Sequence, residues 1–103
     1  MKRPSILTAC HEALAGVVDT AAWSSGDLLV RRGFFYRHGE DAASFAQRVV
    51  TTLAAARLVG YFNEPLTPRL VDCGEVDKPF RGGASVAQNS HFWARVALDR
   101  SPE

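Results

Sequence analysis

The stretch Asn89–Leu98 alternates without a break, and that alternation restricts the fold more than any other feature of the chain. Successive side chains of an extended segment point to opposite faces. Phe92, Ala94, Val96 and Leu98 therefore share one side, and His91, Trp93 and Arg95 the other. The first side reads as core. The second sets an indole between an imidazole and a guanidinium, a combination suited to contact.

The rest of the chain must supply partner strands and a cover for the apolar side. Ser5 is a helix cap, and Ile6, Ala9, Cys10, Ala13, Leu14 and Val17 recur at helical spacing, which predicts a helix from Ser5 to about Ala22. Trp23-Ser24-Ser25-Gly26-Asp27 ends it with turn chemistry. Leu28–Arg37 is rich in branched and aromatic residues and predicts a strand. Val30, Phe34 and Tyr36 share a face with Arg32 and form the better core side, while Leu29, Arg31, Gly33, Phe35 and Arg37 share the other. Gly33 is a candidate bulge, which would swap the faces beyond it.

Asp41 is placed to cap a second helix whose apolar stripe is Phe45, Val49, Leu53 and Ala56, widened by Ala46 and Val50, with Gly60 as its stop. Tyr61–Pro68 reads as a connection with aromatic anchors, because two prolines interrupt any period. Arg69–Val76 predicts a strand, and Arg81-Gly82-Gly83-Ala84-Ser85 a loop into the last one. The expected fold is one α+β domain over residues 1–103, in the order α-β-α-β-β. Two helices pack on one face of a short, mainly antiparallel three-stranded sheet, with Phe92, Val96 and Leu98 against Phe45, Val49 and Leu53. The last two strands pair antiparallel, the first pairs with one of them, and the far face of the sheet is left uncovered.

Twelve basic residues against eleven acidic ones give a formal charge of +1, so no global field draws the protein to nucleic acid or to membrane. His11, His38 and His91 lack metal-ligand spacing, and Cys10 and Cys73 belong to no paired motif. Neither a metal nor another cofactor is expected, and reduced cysteines fit a cytoplasmic protein. The apolar run before Cys10 is about four residues, against the roughly 7–15 of an export signal. No run has the length of a membrane span.

The constellation with most to offer is the uncovered sheet face, carrying Arg31, Phe35 and Arg37 on the first strand and His91, Trp93 and Arg95 on the last. Aromatic rings between arginines suit a protein interface, where both types are enriched. They also suit stacking on bases or planar anions. A third arrangement has the first helix simply covering them. Arg81 and the glycines after it could approach a phosphate, but the loop lacks the second glycine and lysine of a phosphate-binding loop. The favoured reading is a small non-enzymatic binding module, a homodimer whose contact surface is this aromatic and arginine face. Behind it stands binding of nucleic acid or a small anionic ligand through Arg31, Arg37, Trp93, Arg95 and the Arg81–Ser85 loop. Last comes an enzyme pairing His91 or His38 with Asp72 or Glu75, which needs those side chains to converge in a pocket.

Overall fold

The structure, a computed structural model, describes residues 5–33, 39–77 and 90–100. The described elements are α1 (Ile6–Ala13), β1 (Thr20–Ser24), β2 (Asp27–Gly33), α2 (Ala42–Ala55), β3 (Leu66–Val76) and β4 (His91–Arg100). The fold is α+β, but its order is α-β-β-α-β-β and its sheet has four antiparallel strands, ordered β1-β2-β4-β3. The three-stranded expectation is corrected at one place, the end of the first helix. The alternating stretch that set the expectations becomes, from His91, the inner strand β4, hydrogen-bonded to β2 on one side and β3 on the other.

Helix α1 starts where its cap predicts, with the Ser5 hydroxyl accepting the Thr8 N–H at 3.1 Å. It stops at Ala13, not Ala22. Gly16 adopts a left-handed backbone at φ +79, and Thr20–Ser24 then folds onto β2 as a hairpin. Ser24 pairs with Asp27, leaving Ser25 and Gly26 as a two-residue turn. Both have positive φ, 51 and 85, the conformation whose twist matches that of the flanking strands. Pairing with β2 gives Thr20–Ser24 a full hydrogen-bond ladder, which outweighs a helix propensity that rests mainly on two alanines. Arg32 ties the intervening turn down, its Nη1 donating to the carbonyls of Gly16 at 3.0 Å and Val17 at 2.7 Å. Its charge therefore sits at the margin of the core face, where alternation puts it.

Helix α2 carries its stripe as expected: Phe45, Ala46, Val49 and Leu53 are fully buried. The helix ends at Ala55, five residues before Gly60, and Ala56 is exposed. Arg57 takes the left-handed conformation at φ 52 and turns the chain so that Leu58 enters the core at 6% exposure. Tyr61 and Phe62 do not anchor the following connection. They are 79% and 87% exposed at the tip of a tight loop in which the Gly60 N–H donates to the Glu64 carbonyl at 2.8 Å. Strand β3 begins at Leu66 and incorporates Pro68, because an edge strand tolerates a residue without an N–H.

Helices α1 and α2 lie on the same face of the sheet. Cys10, Leu14, Leu28, Val30, Phe45, Val49, Leu53, Phe92, Ala94 and Val96 form the fully enclosed part of the core, with Leu98 and Cys73 half-buried against it. Phe45 and Phe92 stack with ring centroids 6.0 Å apart, joining helix to inner strand. Burial pushes the Cys10 thiol up to about 11. Among the described residues no helix is long and apolar enough to cross a membrane.

The α2 cap carries a pH signature. The Asp41 carboxylate accepts the Ser44 N–H at 2.7 Å, and hydrogen bonding to Ser44 holds its pKa below the usual carboxylate range. A depressed folded pKa means the contribution is complete above the unfolded value of about 3.9 and fades as pH falls through the lower folded one. Asp41→Asn should keep the cap, lose stability relative to wild type at neutral pH, and narrow that difference below about pH 4 in urea titrations. A difference between the two proteins that does not vary with pH would rule the cap out as an acid-sensitive element.

A candidate contact surface on the open sheet face

The sheet's second face is covered by no described helix. Reading the strand register across it places the chemistry row by row. Thr20, Arg31, Trp93 and Gly74 lie side by side, and the next row is Ala22, Leu29, Arg95 and Asp72. His91 and Val76 lie beyond Trp93, while Arg69 and Ala97 follow Arg95. Arg31, His91, Trp93 and Arg95 are therefore brought onto one face, with Leu29 between the arginines. Phe35, Arg37, Arg81 with the rest of its loop to Ser85, and His38 lie outside the described residues.

Asp72, Gly74 and Val76 reach this face through a β-bulge. The register of β3 against β4 shifts between Leu70 and Asp72. The odd-numbered positions share the open face up to Arg69, and the even-numbered ones from Asp72 onward. Without the extra residue Asp72 would point towards the helices, so strict alternation misses it.

Gly74 has a positional reason to be glycine. A Cβ there would come within 2.9 Å of Cζ2 and Nε1 of Trp93, so the indole lies flat on the glycine of the neighbouring strand. This seats the half-exposed Trp93 ring at the centre of the face. Around it Leu29, Arg31, Asp72, Val76, His91 and Arg95 outline a shallow concavity of about 440 Å³. A shallow, open dish suits a surface contact better than enclosure of a small molecule, which uses a cleft that surrounds most of its ligand.

The polar groups are less available than the sequence suggests. Arg95 reaches across Leu29 to the β1–β2 turn, its Nη1 donating to the Ser24 carbonyl at 2.7 Å and its Nη2 to the Ser24 hydroxyl at 3.2 Å. It also lies 3.6 Å from Asp27. Asp72, its cross-strand partner, is left out of that set and accepts the Cys73 N–H at 2.8 Å. Arg69 binds Asp99 with its Nε 2.6 Å from Oδ2, which holds the Asp99 carboxyl below the usual range. His91 is only 4% exposed, so it walls the dish instead of projecting from it.

The described part of the face thus carries Arg31, Arg69 and Arg95 against Asp27, Asp72 and Asp99, and the charges cancel. Two of the three possible pairs are made within the chain. Arg31 and Asp72 have no ion-pair partner among the described residues. The pairing that acid–base catalysis would need is not formed by His91 with Asp72. They lie two rows apart on adjacent strands, on the order of 13 Å by strand geometry. Glu75, opposite Phe92, belongs to the other face. Among the described residues no group of three or more His, Cys, Asp or Glu side chains could hold a metal ion. Compared with protein-family models, curated proteins and solved structures, the chain matches none.

Proposed function

We propose that the chain is a small non-enzymatic binding module whose open sheet face is its contact surface, and that the partner is a second copy of itself. The observation that carries this reading is the seating of Trp93 on Gly74 at the centre of a face that no described helix covers and whose described charges sum to zero. An aromatic centre ringed by polar groups is the anatomy of a protein interface. Nucleic-acid binding draws its affinity from unpaired positive charge. Here Arg95 and Arg69 are engaged by Asp27 and Asp99, so that reading has less support.

The face is small. Strand spacing and rise give the four described strands roughly 450 Å² a side, below the roughly 800 Å² of a standard interface. The dimer should therefore be concentration-dependent. Sedimentation velocity from about 1 µM to about 1 mM, a range spanning weak and moderate affinities, is expected to show a monomer–dimer shift. With Trp23 replaced by phenylalanine, Trp93 emission should move to the blue over the same range. A monomer throughout, with Trp93 emission unchanged, defeats the proposal. Quenching of Trp93 by oligonucleotides at low salt, lost at high salt, would favour nucleic acid instead.

A further inference from the structure

Resting on that reading, we infer the register of the self-contact: Arg31 of each copy pairs with Asp72 of the other across a two-fold axis lying between Trp93 and Arg95. Two charges on this face are left over among the described residues. Asp27 engages Arg95, and Asp99 engages Arg69. Arg31 and Asp72 alone on this face have no ion-pair partner among the described residues, and they have opposite signs. They stand on the two strands flanking β4, one row apart, about 12 Å from each other by strand spacing and rise. Their own chain does not join them.

A second copy can. Two identical sheet faces meet through a two-fold axis lying in the plane between them, so contacts come in reciprocal pairs. Placing that axis on the perpendicular bisector of the Arg31–Asp72 line sets each guanidinium over the other copy's carboxylate. Both charges of each copy are then satisfied, in two symmetry-related pairs. The bisector crosses β4 between Trp93 and Arg95, so the two Trp93 rings come to lie side by side near the axis. Gly74 keeps each indole low on its strand, which lets the two faces approach. The pairs already made, Arg69–Asp99 and Arg95–Asp27, remain within each chain and need no rearrangement. The strands of the two sheets cross steeply, one of the two ways in which sheets stack.

The test is a charge swap read by sedimentation. Arg31→Glu sets a carboxylate against Asp72 in both pairs, and Asp72→Arg sets a guanidinium against Arg31. Each variant alone should self-associate at least about tenfold more weakly than wild type, the scale of close charge pairs at protein contacts. Mixed in equal amounts, the two should form a heterodimer that binds more tightly than either variant binds itself, because one pair joins the two introduced charges and the other the two native ones. The double variant should self-associate with near wild-type affinity, since both of its pairs are again of opposite sign. No general loss of stability produces that pattern. If Arg31→Glu does not fold, Arg31→Gln takes its place, and its mixture with Asp72→Arg should bind more tightly than Asp72→Arg binds itself. Wild type that never dimerises overturns the contact-surface reading. Wild type that dimerises while neither the mixture nor the double variant recovers overturns this register and leaves that reading standing.

Discussion

Phe92→Ala is expected to cost the fold about 3–5 kcal/mol, a large share of the stability of a domain of this size. Phe92 is 1% exposed on the inner strand and stacks on Phe45 of α2, so its ring joins the two layers of the fold. Removing a buried phenylalanine costs about 3–5 kcal/mol through lost burial and the cavity left behind. A domain near this length has about 5–15 kcal/mol in total. Ala94, the next residue on the same strand face, is too small to extend into the vacated space. Phe92→Leu, which retains most of the volume, should cost less than about 1.5 kcal/mol. Urea titration followed by circular dichroism separates the two. A shift for Phe92→Ala no larger than that for Phe92→Leu would mean that the ring does not bridge the layers.

The same residue shows why parts of the fold could be read in advance. Phe92, Ala94 and Val96 declare a face because a strand of ten residues repeats its period several times. Phe45, Val49 and Leu53 do so along a helix of fourteen. Short elements give no such repetition. Ala21 and Ala22 continue the helical spacing of Ala13 and Val17, and only pairing with β2, a contact between separate segments, makes Thr20–Ser24 a strand. The signal was present in Ser25-Gly26, a two-residue hairpin turn between branched and aromatic runs, which reads equally well as a helix terminator. Pro68 misled in the opposite sense. It stops an inner strand but is tolerated on an edge, and strand order depends on contacts that local sequence does not encode.

The site divides along the same line. Alternation was enough to put Arg31 with Leu29 and Trp93 with His91 and Arg95, and β2–β4 pairing laid the two sets side by side. Three things needed the folded chain. The bulge after Leu70 moved Asp72 and Gly74 onto the face. Gly74 showed its purpose only once the Trp93 indole lay on it. Arg95 looked free in the sequence because its partners, Ser24 and Asp27, belong to a hairpin that local pattern presents as the end of a helix.

Arg95→Met is the substitution that separates a clamp from a ligand group. Methionine retains much of the aliphatic stem and removes the guanidinium. If Arg95 serves chiefly to hold the β1–β2 turn, the loss falls on stability. Hydrogen bonds from a charged donor are worth about 1.5–3 kcal/mol, and Arg95 places one on the Ser24 carbonyl at 2.7 Å and another on its hydroxyl at 3.2 Å. Its side chain is 28% exposed, so the 3.6 Å approach to Asp27 adds little beyond those bonds. A loss of about 1.5–3 kcal/mol in urea is expected, with amide exchange rising first in the β1–β2 hairpin and least in the centre of β4. Self-association should weaken only slightly, since Arg95 keeps its partners within the chain when the faces meet. The opposite pattern, unchanged hairpin exchange with association abolished, would make Arg95 a contact residue. The pairing of Arg31 with Asp72 would then have to give way to one that draws Arg95 off the turn, because a guanidinium cannot satisfy Ser24 and a second copy in the same position.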